Sequence, residues 1–330
     1  MHRLMRVLAG DIGGTKTSLA IYALADGQLR VVRGARYPSA DAPGLEPLVR
    51  RFLAEGPDEP LAAAGFAVAG PVVNGHCRTT NLPWELDARA LAESLGRPVA
   101  LLNDFHGIAL GVTALADGDL ERLQPGEPDP QAPIAVIGAG TGLGEALLLP
   151  TPTGPRVIAS EGGHADFAPR DELEIELLRF LLARHRRVSY ERVLSGRGLA
   201  AVYDFVIARG LAPTLASTRE RFAGEDPGAV VGELGVRGDD PACVRAVDLF
   251  IGVYGAEAGN LALKSLPYGG VFIAGGVALH LLARLRVGFM PSFLAKGRMS
   301  PLLARVPVAV VLDPEVGRRG AALAAAALLG

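Results

Sequence analysis

Two glycine-rich stretches, one near the start of each half of the chain, constrain the fold more than any other feature. Residues 8–22 are LAGDIGGTKTSLAIY, and residues 133–150 are PIAVIGAGTGLGEALLLP. After the first bend, residues 17–22 alternate between two sides and include β-branched and aromatic members, which is typical of a strand. Each stretch therefore predicts a β-hairpin with a glycine-rich bend.

Neither stretch matches the common nucleotide-binding loops. A Walker loop needs four residues between its first glycine and a Gly-Lys pair, and a Rossmann turn needs G-x-G-x-x-G opening a helix. Pro150 follows the second bend too soon for the long helix of a βαβ unit. Glycine and threonine at such bends can still hold phosphate through backbone N–H and hydroxyl groups.

We interpret the two hairpins as parts of a duplicated domain that holds a nucleotide across a cleft. The alternative is a pair of structural hairpins whose bends need glycine only for positive φ. The chain alternates strand-like runs with helical patterns, such as a helix over 88–96 and a strand over 98–104, which indicates an α/β fold. Residues 117–133 are rich in Pro, Gly and acids, so we interpret them as a connection between domains.

Composition excludes several classes of protein. The chain has 330 residues, 49% of them hydrophobic, and a formal net charge of -2 without a basic block, so no nucleic-acid partner is expected. The two cysteines form no CxxC or Cys/His cluster, which argues against a disulfide framework or a zinc site. No apolar run reaches the roughly 20 residues of a membrane helix, and the first is too short for a secretory signal. We therefore expect no membrane partner and a cytoplasmic location.

Seven motifs, in order along the chain, resemble those of the bacterial glucokinase family. They are GDIGGT at 10–15, TNLPW at 80–84, LLNDF at 101–105, GAGTGLG at 138–144, EGGHADFAP at 161–169, YERVLSGRGL at 190–199 and GGVFIAGGV at 269–277. The resemblance implies an actin-like (ribonuclease H-like), hexokinase-type α/β fold with two domains and a cleft where ATP and glucose meet. The expected domains are a small one over 1–114, joined by a C-terminal helix at about 313–330, and a large one over 115–312.

The ROK group of sugar kinases and repressors is a neighbouring family with a similar first loop. Its members typically carry a cysteine-rich zinc motif after an E-x-G-H segment, whereas residues 161–174 here are EGGHADFAPRDELE. Only nine residues precede Gly10, so a helix-turn-helix ahead of the first loop is not expected either. Both observations favour the glucokinase family.

Asn103 and Asp104 end an apolar run and precede a helical pattern, so we expect them at the carboxyl end of a strand, where α/β folds commonly place their sites. On the residues alone, an N-cap role for either is an equal alternative. The resemblance implies that Asp104 is the general base and that Asn103 and Asp104 bind the sugar.

The same resemblance assigns Glu161, His164 and Glu191 to the glucose hydroxyls. Glu161 and His164 share a glycine-containing loop, where a carboxylate and an imidazole could both face one ligand. Without the resemblance, His164 is more typical of a structural histidine, and Glu191 of a solvated helix residue.

Nucleotide contacts are expected at the two bends and at a third glycine pair after a buried strand. The predicted residues are Gly10, Asp11, Ile12, Gly13, Gly14, Thr15, Gly140, Thr141, Gly275 and Gly276. Mg²⁺ is expected to arrive with ATP, with no assured direct protein ligand and with Asp11 as a contact through water. Gly275 and Gly276 could instead be a simple turn that starts a helix.

The expected reaction is ATP-dependent phosphorylation of D-glucose to glucose 6-phosphate, with magnesium bridging the phosphates. We also expect a homodimer. The alternatives are another hexose, a polyphosphate or ADP donor, or a non-catalytic sugar sensor of the same fold.

Overall fold

A computed structural model of the chain describes residues 5–25, 28–79 and 82–329, so that Thr80 and Asn81 of the TNLPW motif lie outside the described residues. The strands are β1 (Met5–Ile12), β2 (Lys16–Ala25), β3 (Gln28–Pro38), β4 (Ala63–Val68), β5 (Val72–Val73), β6 (His76–Arg78), β7 (Glu85–Asp87), β8 (Val99–Asn103), β9 (Leu120–Gln124), β10 (Ile134–Ala139), β11 (Leu143–Leu149), β12 (Arg156–Ser160), β13 (Gly270–Ala274) and β14 (Val308–Val311).

Twelve α-helices accompany these strands in the described part of the chain. They are α1 (Leu45–Ala54), α2 (Ala88–Leu95), α3 (Asp104–Gly111), α4 (Glu172–Leu182), α5 (Gly196–Ala208), α6 (Ala216–Arg221), α7 (Pro227–Arg237), α8 (Pro241–Ser265), α9 (Gly276–His280), α10 (Leu282–Leu294), α11 (Ser300–Leu303) and α12 (Val316–Ala327).

The chain divides into two compact units. Unit 1 comprises Met1–Asp119 and Asp313–Gly330, and unit 2 comprises Leu120–Leu312. Unit 1 thus extends past residue 114, where the sequence predicted its end. Among the described residues, no helix combines the length and the apolar character needed to cross a membrane.

Unit 1 contains the first predicted hairpin at the centre of its sheet. The strand order is β3-β2-β1-β4-β8, with β2 antiparallel to β1 and with β4 parallel to β1. Leu19 and Ile21 pack with the buried face of α1, while Ala20 and Tyr22 pack on the other side with alanines of α12. The predicted alternation of β2 is confirmed, and both faces of this strand are buried.

Helices α3 and α12 of unit 1 are in backbone contact. A Cβ atom at Gly320 would overlap the carbonyl oxygen of Gly107, and one at Gly111 would overlap that of Val316. Because α3 begins at Asp104, this contact with the C-terminal helix fixes the helix that carries the predicted base.

Unit 2 repeats the same arrangement around the second predicted hairpin. Its strand order is β12-β11-β10-β13-β14-β9, with β11 antiparallel and β13 parallel to β10. The long helix α8 is largely buried and packs against α5, α7 and α10. Both hairpins and the α/β class are therefore confirmed.

The segment 117–133, which the sequence predicts to connect two domains, does contain the boundary between the units, at Asp119 and Leu120. It is not all connection, because its residues 120–124 form β9, which pairs antiparallel with β14 at the edge of the sheet. An edge strand keeps one side in contact with solvent, so its polar composition resembles that of a loop.

Candidate active site

The bend between β1 and β2 is fixed by hydrogen bonds rather than by left-handed backbone. The Gly13 N–H donates to the carbonyl oxygen of Lys16 over 2.9 Å, and the Ser39 hydroxyl donates to the Gly13 carbonyl oxygen over 2.8 Å. Neither Gly13 nor Gly14 has a positive φ. A need for positive φ therefore does not explain these two glycines. Because they have no side chain, a ligand can approach the backbone of the bend closely.

Asp11, near the end of β1, is a buried carboxyl group among other acids. Burial, the nearby Asp104 and the nearby Glu315 raise its pKa to about 7, whereas Arg318 acts in the opposite direction. A divalent cation would relieve the repulsion among these carboxylates, and oxygen donors of this kind are those that Mg²⁺ prefers. Among the described residues no group of three or more His, Cys, Asp or Glu side chains is placed to hold a metal ion, so Asp11 fits only the expected contact through water.

Arg318 from α12 anchors this acidic group. It donates to the Tyr22 hydroxyl over 3.1 Å and to the Ser18 hydroxyl over 2.6 Å, and it lies 3.0 Å from the Glu315 carboxylate. The sequence reasoning missed Arg318 and Glu315. The signal that could have found Arg318 is the charged pair RR in the otherwise apolar pattern of the last helix.

Asn103 and Asp104 lie where β8 meets α3, as predicted. The Asn103 side-chain oxygen accepts from the N–H groups of Phe105 and His106 over 3.0 and 3.3 Å, and its Nδ2 donates to the Gly70 carbonyl oxygen over 3.0 Å. Asn103 is therefore the N-cap of α3. Its predicted contact with sugar could use only the second N–H of its amide.

Asp104 follows the cap as the first residue of α3. Its Oδ1 accepts from the Phe105 N–H over 2.9 Å, at the helix end where the dipole favours a negative charge. Its carboxylate is also one of the charges that raise the pKa of Asp11, so the two predicted catalytic and phosphate-binding acids lie near each other.

In unit 2, the three predicted sugar-binding residues come together. The His164 ring lies between two carboxylates, with Nε2 3.8 Å from Glu161 and Nδ1 3.9 Å from Glu191. Side-chain exposure decreases from 83% at Glu161 to 56% at His164 and 31% at Glu191. Glu161 precedes one 3-10 turn (Gly162–His164) and His164 ends it. Glu191 lies in another 3-10 turn (Tyr190–Arg192).

The bend between β10 and β11 contacts this cluster. The Leu143 N–H donates to Glu191 Oε2 over 3.2 Å, and a Cβ atom at Gly142 would overlap that same oxygen. Gly140 faces open space and Thr141 is exposed. The predicted phosphate-binding bend thus lies directly beside a predicted sugar-binding residue.

A cavity of about 340 Å³ opens near the third glycine pair. Gly275 has a φ of 92°, and a Cβ atom there would lie 2.6 Å from the Ala139 carbonyl oxygen, so the end of β13 closely contacts the end of β10. The cavity begins at Val277 just beyond this pair, and it is lined mainly by apolar and glycine residues of α5, α7 and α9–α10. Its lining includes Gly196, Leu199, Gly228, Gly232, Val277 and Leu281.

Gly196, Leu199 and Val277 of this lining belong to the motifs at 190–199 and 269–277, but the sequence reasoning missed the wall that α7 contributes. Its wall on α7 consists of glycines and small apolar residues, which on sequence alone are typical of helix packing. Glu233 and Arg237 contribute the polar rim together with Asp226 and His280. An apolar cavity with a few polar groups at its edge is typical of a small-molecule site.

Known proteins of one family match this chain over nearly its whole length. The Glucokinase family model matches residues 8–328. A curated glucokinase of Nostoc sp. is 48% identical over 98% of this chain and 99% of its own length, and one of Synechocystis sp. is 42% identical over 97% of each. The crystal structure of glucokinase from an Antarctic psychrotroph superposes with a TM-score of 0.85 at 31% identity, covering 99% of both chains.

More distant structures share the fold. A ROK family glucokinase from Streptomyces griseus, solved with glucose and AMPPNP, has a TM-score of 0.67 at 21% identity and covers 97% of this chain and 99% of its own. At that identity the similarity is one of fold, and it extends the actin-like α/β architecture to this chain.

Proposed function

The chain belongs to the glucokinase family, and from that premise we propose that it phosphorylates D-glucose at the 6-hydroxyl with ATP, using Asp104 as the general base. The observation that carries this proposal is the cluster of Glu161, His164 and Glu191, in which a histidine ring lies within 4 Å of two carboxylates. Carboxylates accept hydrogen bonds from vicinal hydroxyls, and the imidazole can donate or accept. This set suits a sugar better than an anionic or apolar ligand.

The phosphoryl transfer needs one group of the protein that accepts the proton of the sugar hydroxyl. In the proposed step, the Asp104 carboxylate takes the proton of the glucose 6-hydroxyl while that oxygen bonds to the γ-phosphorus of ATP. The bond from the γ-phosphorus to the bridging oxygen breaks, and ADP leaves. The position of Asp104 at the start of α3 supports this role, since the N-terminal end of a helix favours a negative charge.

We assign the adenosine part of the nucleotide to unit 2. The cavity beyond Gly275 and Gly276 has the size and apolar walls to take the adenosine part. The Gly140 N–H already donates to the Gly142 carbonyl oxygen, so the exposed Thr141 offers its hydroxyl for phosphate at this bend. Bound magnesium would neutralise charge on the transferring phosphate. Asp11 would hold it through water, and Arg318 keeps the carboxyl groups of this region in place.

The direct test is a coupled assay of glucose 6-phosphate formation across sugars and donors. Glucose with ATP and Mg²⁺ should give the highest kcat/KM; mannose, an N-acetylated hexose, polyphosphate and ADP are the competitors. Glucose should also raise Tm by an amount that grows with its concentration, because it binds the folded state. Unchanged melting at millimolar glucose would remove the sugar assignment, and a flat response to every pair of substrates would favour a sugar sensor.

Two further parts of the proposal concern the setting of the reaction. We place the enzyme in the cytoplasm, where ATP is available, and we expect a homodimer. Sedimentation equilibrium would test the homodimer, and a monomer across the concentration range would contradict it.

A further inference from the structure

Two glutamates without a role in the reaction are buried directly behind the sugar-binding cluster. Glu145 on β11 is 3% exposed and Glu257 on α8 is fully buried. Each carries one buried oxygen, Oε1, for which the described part of the chain offers no hydrogen-bond partner. Lys264 Nζ comes within 4.0 Å of Glu257 Oε1, but its side chain is 64% exposed. Burial with so little compensation favours the protonated form of the Glu145 carboxyl group.

Glu145 contacts the turn that carries Glu161 and His164. A Cβ atom at Gly162 would overlap Glu145 Oε2, so the carboxyl group packs directly on the backbone between these two residues. The turn is tied to the same strand pair, because Glu145 is paired with Ser160 and the Ser160 hydroxyl accepts from the Gly162 N–H over 2.9 Å. A displacement of Glu145 would therefore move the first sugar-binding turn.

Glu257 is connected to the other sugar-binding turn. Its Oε2 accepts from Asn260 Nδ2 over 2.8 Å, and the same nitrogen donates to the Tyr190 hydroxyl over 3.0 Å. Tyr190 immediately precedes Glu191, so Asn260 connects Glu257 to the turn that carries Glu191. The two glutamates thus reach both turns from behind.

We propose that Glu145 holds a proton behind the cluster and that Glu145 and Glu257, as a buried acid pair, position the two turns for glucose binding. The inference rests on the proposed function, since it assigns the turns to glucose. When Glu145 loses its proton, a negative charge is added to a buried region near Glu257, and the resulting repulsion presses Glu145 on Gly162 and draws Glu257 from Asn260, which links it to Tyr190. Glu145 and Glu257 are positioning residues, because neither belongs to the cluster that would contact the sugar.

The surrounding charges support a proton on the pair. Burial and the nearby Glu257 raise the pKa of Glu145 to about 7, with Lys264 acting in the opposite direction. The other ionisable groups facing the pair are Tyr190 and Tyr254, whose pKa values are themselves raised by burial, and Lys296, whose pKa is lowered by burial. Lys296 donates to the Ala256 carbonyl oxygen over 2.9 Å and also to Asn260, so its charge is directed at the amide rather than at Glu145.

The first test follows the KM for glucose with pH. If only the protonated pair holds the turns, the apparent affinity falls with the protonated fraction, so KM should rise up to about tenfold between about pH 6 and about pH 8. Glu145→Gln keeps the shape and removes the ionisation, so this rise should disappear while the KM for ATP is unaffected. Glu257→Gln should have the same effect, and it serves if Glu145→Gln folds poorly.

The matched control is Glu220→Gln, which changes an exposed glutamate of α6 in the same unit. It should keep the pH dependence of the wild type. If Glu145→Gln and Glu257→Gln also keep that dependence, the acid pair does not position the sugar site and the inference is wrong.

A second measurement does not depend on catalysis. Infrared difference spectra of the wild-type protein around neutral pH should contain the carbonyl stretch of a protonated carboxyl group that disappears in Glu145→Gln or in Glu257→Gln. An unchanged band in both variants would overturn the inference whether or not the protein phosphorylates glucose. If the band is lost in the variants but the wild-type protein is inactive with every sugar, the conclusion that the pair is protonated stands and the proposed function is contradicted.

Discussion

The two units have the same sheet order around a central hairpin, yet they carry different chemistry. In unit 1 the strand ends hold the half-buried acids Asp11 and Asp104, and Arg318 lies near Asp11 and pairs with Glu315. In unit 2 the corresponding region holds an exposed acid–imidazole cluster and an apolar cavity. The comparison suggests a division in which topology selects where a site forms and the side chains at the strand ends set its chemistry, which we propose to be proton transfer in unit 1 and sugar recognition in unit 2. Changes in unit 1 should therefore act on kcat, and changes in unit 2 on KM.

The largest effect is expected for Asp104→Asn. An amide cannot accept the proton of the 6-hydroxyl, so kcat should fall by about 10²- to 10⁴-fold, or about 3–5 kcal/mol of barrier. The KM for glucose should change much less, because the amide still hydrogen bonds. Steady-state kinetics with a Tm measurement would check both.

The control for this variant is Asp87→Asn, at the N-cap of α2 in the same unit, where the carboxylate accepts from the Ala90 N–H. Asparagine caps a helix about as well as aspartate, so this variant should keep its activity. An Asp104→Asn enzyme that turns over within a few-fold of the wild type would rule out Asp104 as the base and remove the contrast between the units.

The next effect concerns stability and pH in unit 1. The pKa of Asp11 is raised from 3.8 to about 7, so the folded state keeps a proton that the unfolded state has released, and the free energy of unfolding falls as pH rises through that window. Asp11→Asn removes this loss. In the absence of ligands, it should be about 2–4 kcal/mol more stable than the wild type above the window and should converge with it below.

Denaturant unfolding across pH would measure this difference, with the exposed Asp58→Asn as the control. Activity with ATP and Mg²⁺ should fall in Asp11→Asn although the protein is more stable. Such a trade-off between stability and activity is common at functional sites. A stability difference that does not vary with pH would show that Asp11 is ionised throughout, and the acidic group of unit 1 would then need another counter-charge.

In unit 2, Glu161→Ala and His164→Ala should raise the KM for glucose by about ten- to a hundredfold, since each removes a hydrogen bond to or from a polar, partly charged group. The KM for ATP should stay near that of the wild type, and Glu220→Ala should change neither. An equal rise in both KM values would mean that these residues do not contact the sugar alone.

The smallest effect is expected for Gly232→Leu, which places a side chain in the cavity of unit 2. Filling that space should raise the KM for ATP by about fivefold or more, about 1 kcal/mol, without affecting the KM for glucose. Gly232→Ala is the control, because its Cβ would lie in ordinary contact with Leu281 and Leu199 at 3.5 and 3.6 Å. If Gly232→Leu changes neither KM, the nucleotide base binds elsewhere.

Much of the fold could be predicted from the sequence because the hairpins have strong local signals. The alternation of β2 and the apolar run before Asn103 each correspond to a real strand, and the last helix follows its alanine-rich pattern. β9 was not recognised because the pairing that makes it a strand comes from β14, far along the chain. Local patterns do not contain such long-range pairing.

The site shows a similar division. The motif residues Glu161, His164 and Glu191 do meet, but their meeting depends on the packing of two turns and not on their spacing. Glu145 and Glu257 were missed although each is a lone acid in an apolar or small-residue pattern, EALLLP and GAEAG, and such an acid is the signal to look for. The sequence also identified the glycines of the bends. The structural alternative explained them by a need for positive φ, but neither Gly13 nor Gly14 has a positive φ.

The glycine contact between α3 and α12 has a consequence for how the enzyme becomes active during synthesis. The helix that carries Asp104 is completed by a partner encoded in the last residues of the chain, after all of unit 2 has been translated. Unit 2 is continuous and can fold as soon as it leaves the ribosome, whereas unit 1 must wait for its final helix. A nascent chain stalled before residue 316 would thus lack the helix that packs against α3, so that the proposed base Asp104 is positioned only once that helix has been translated.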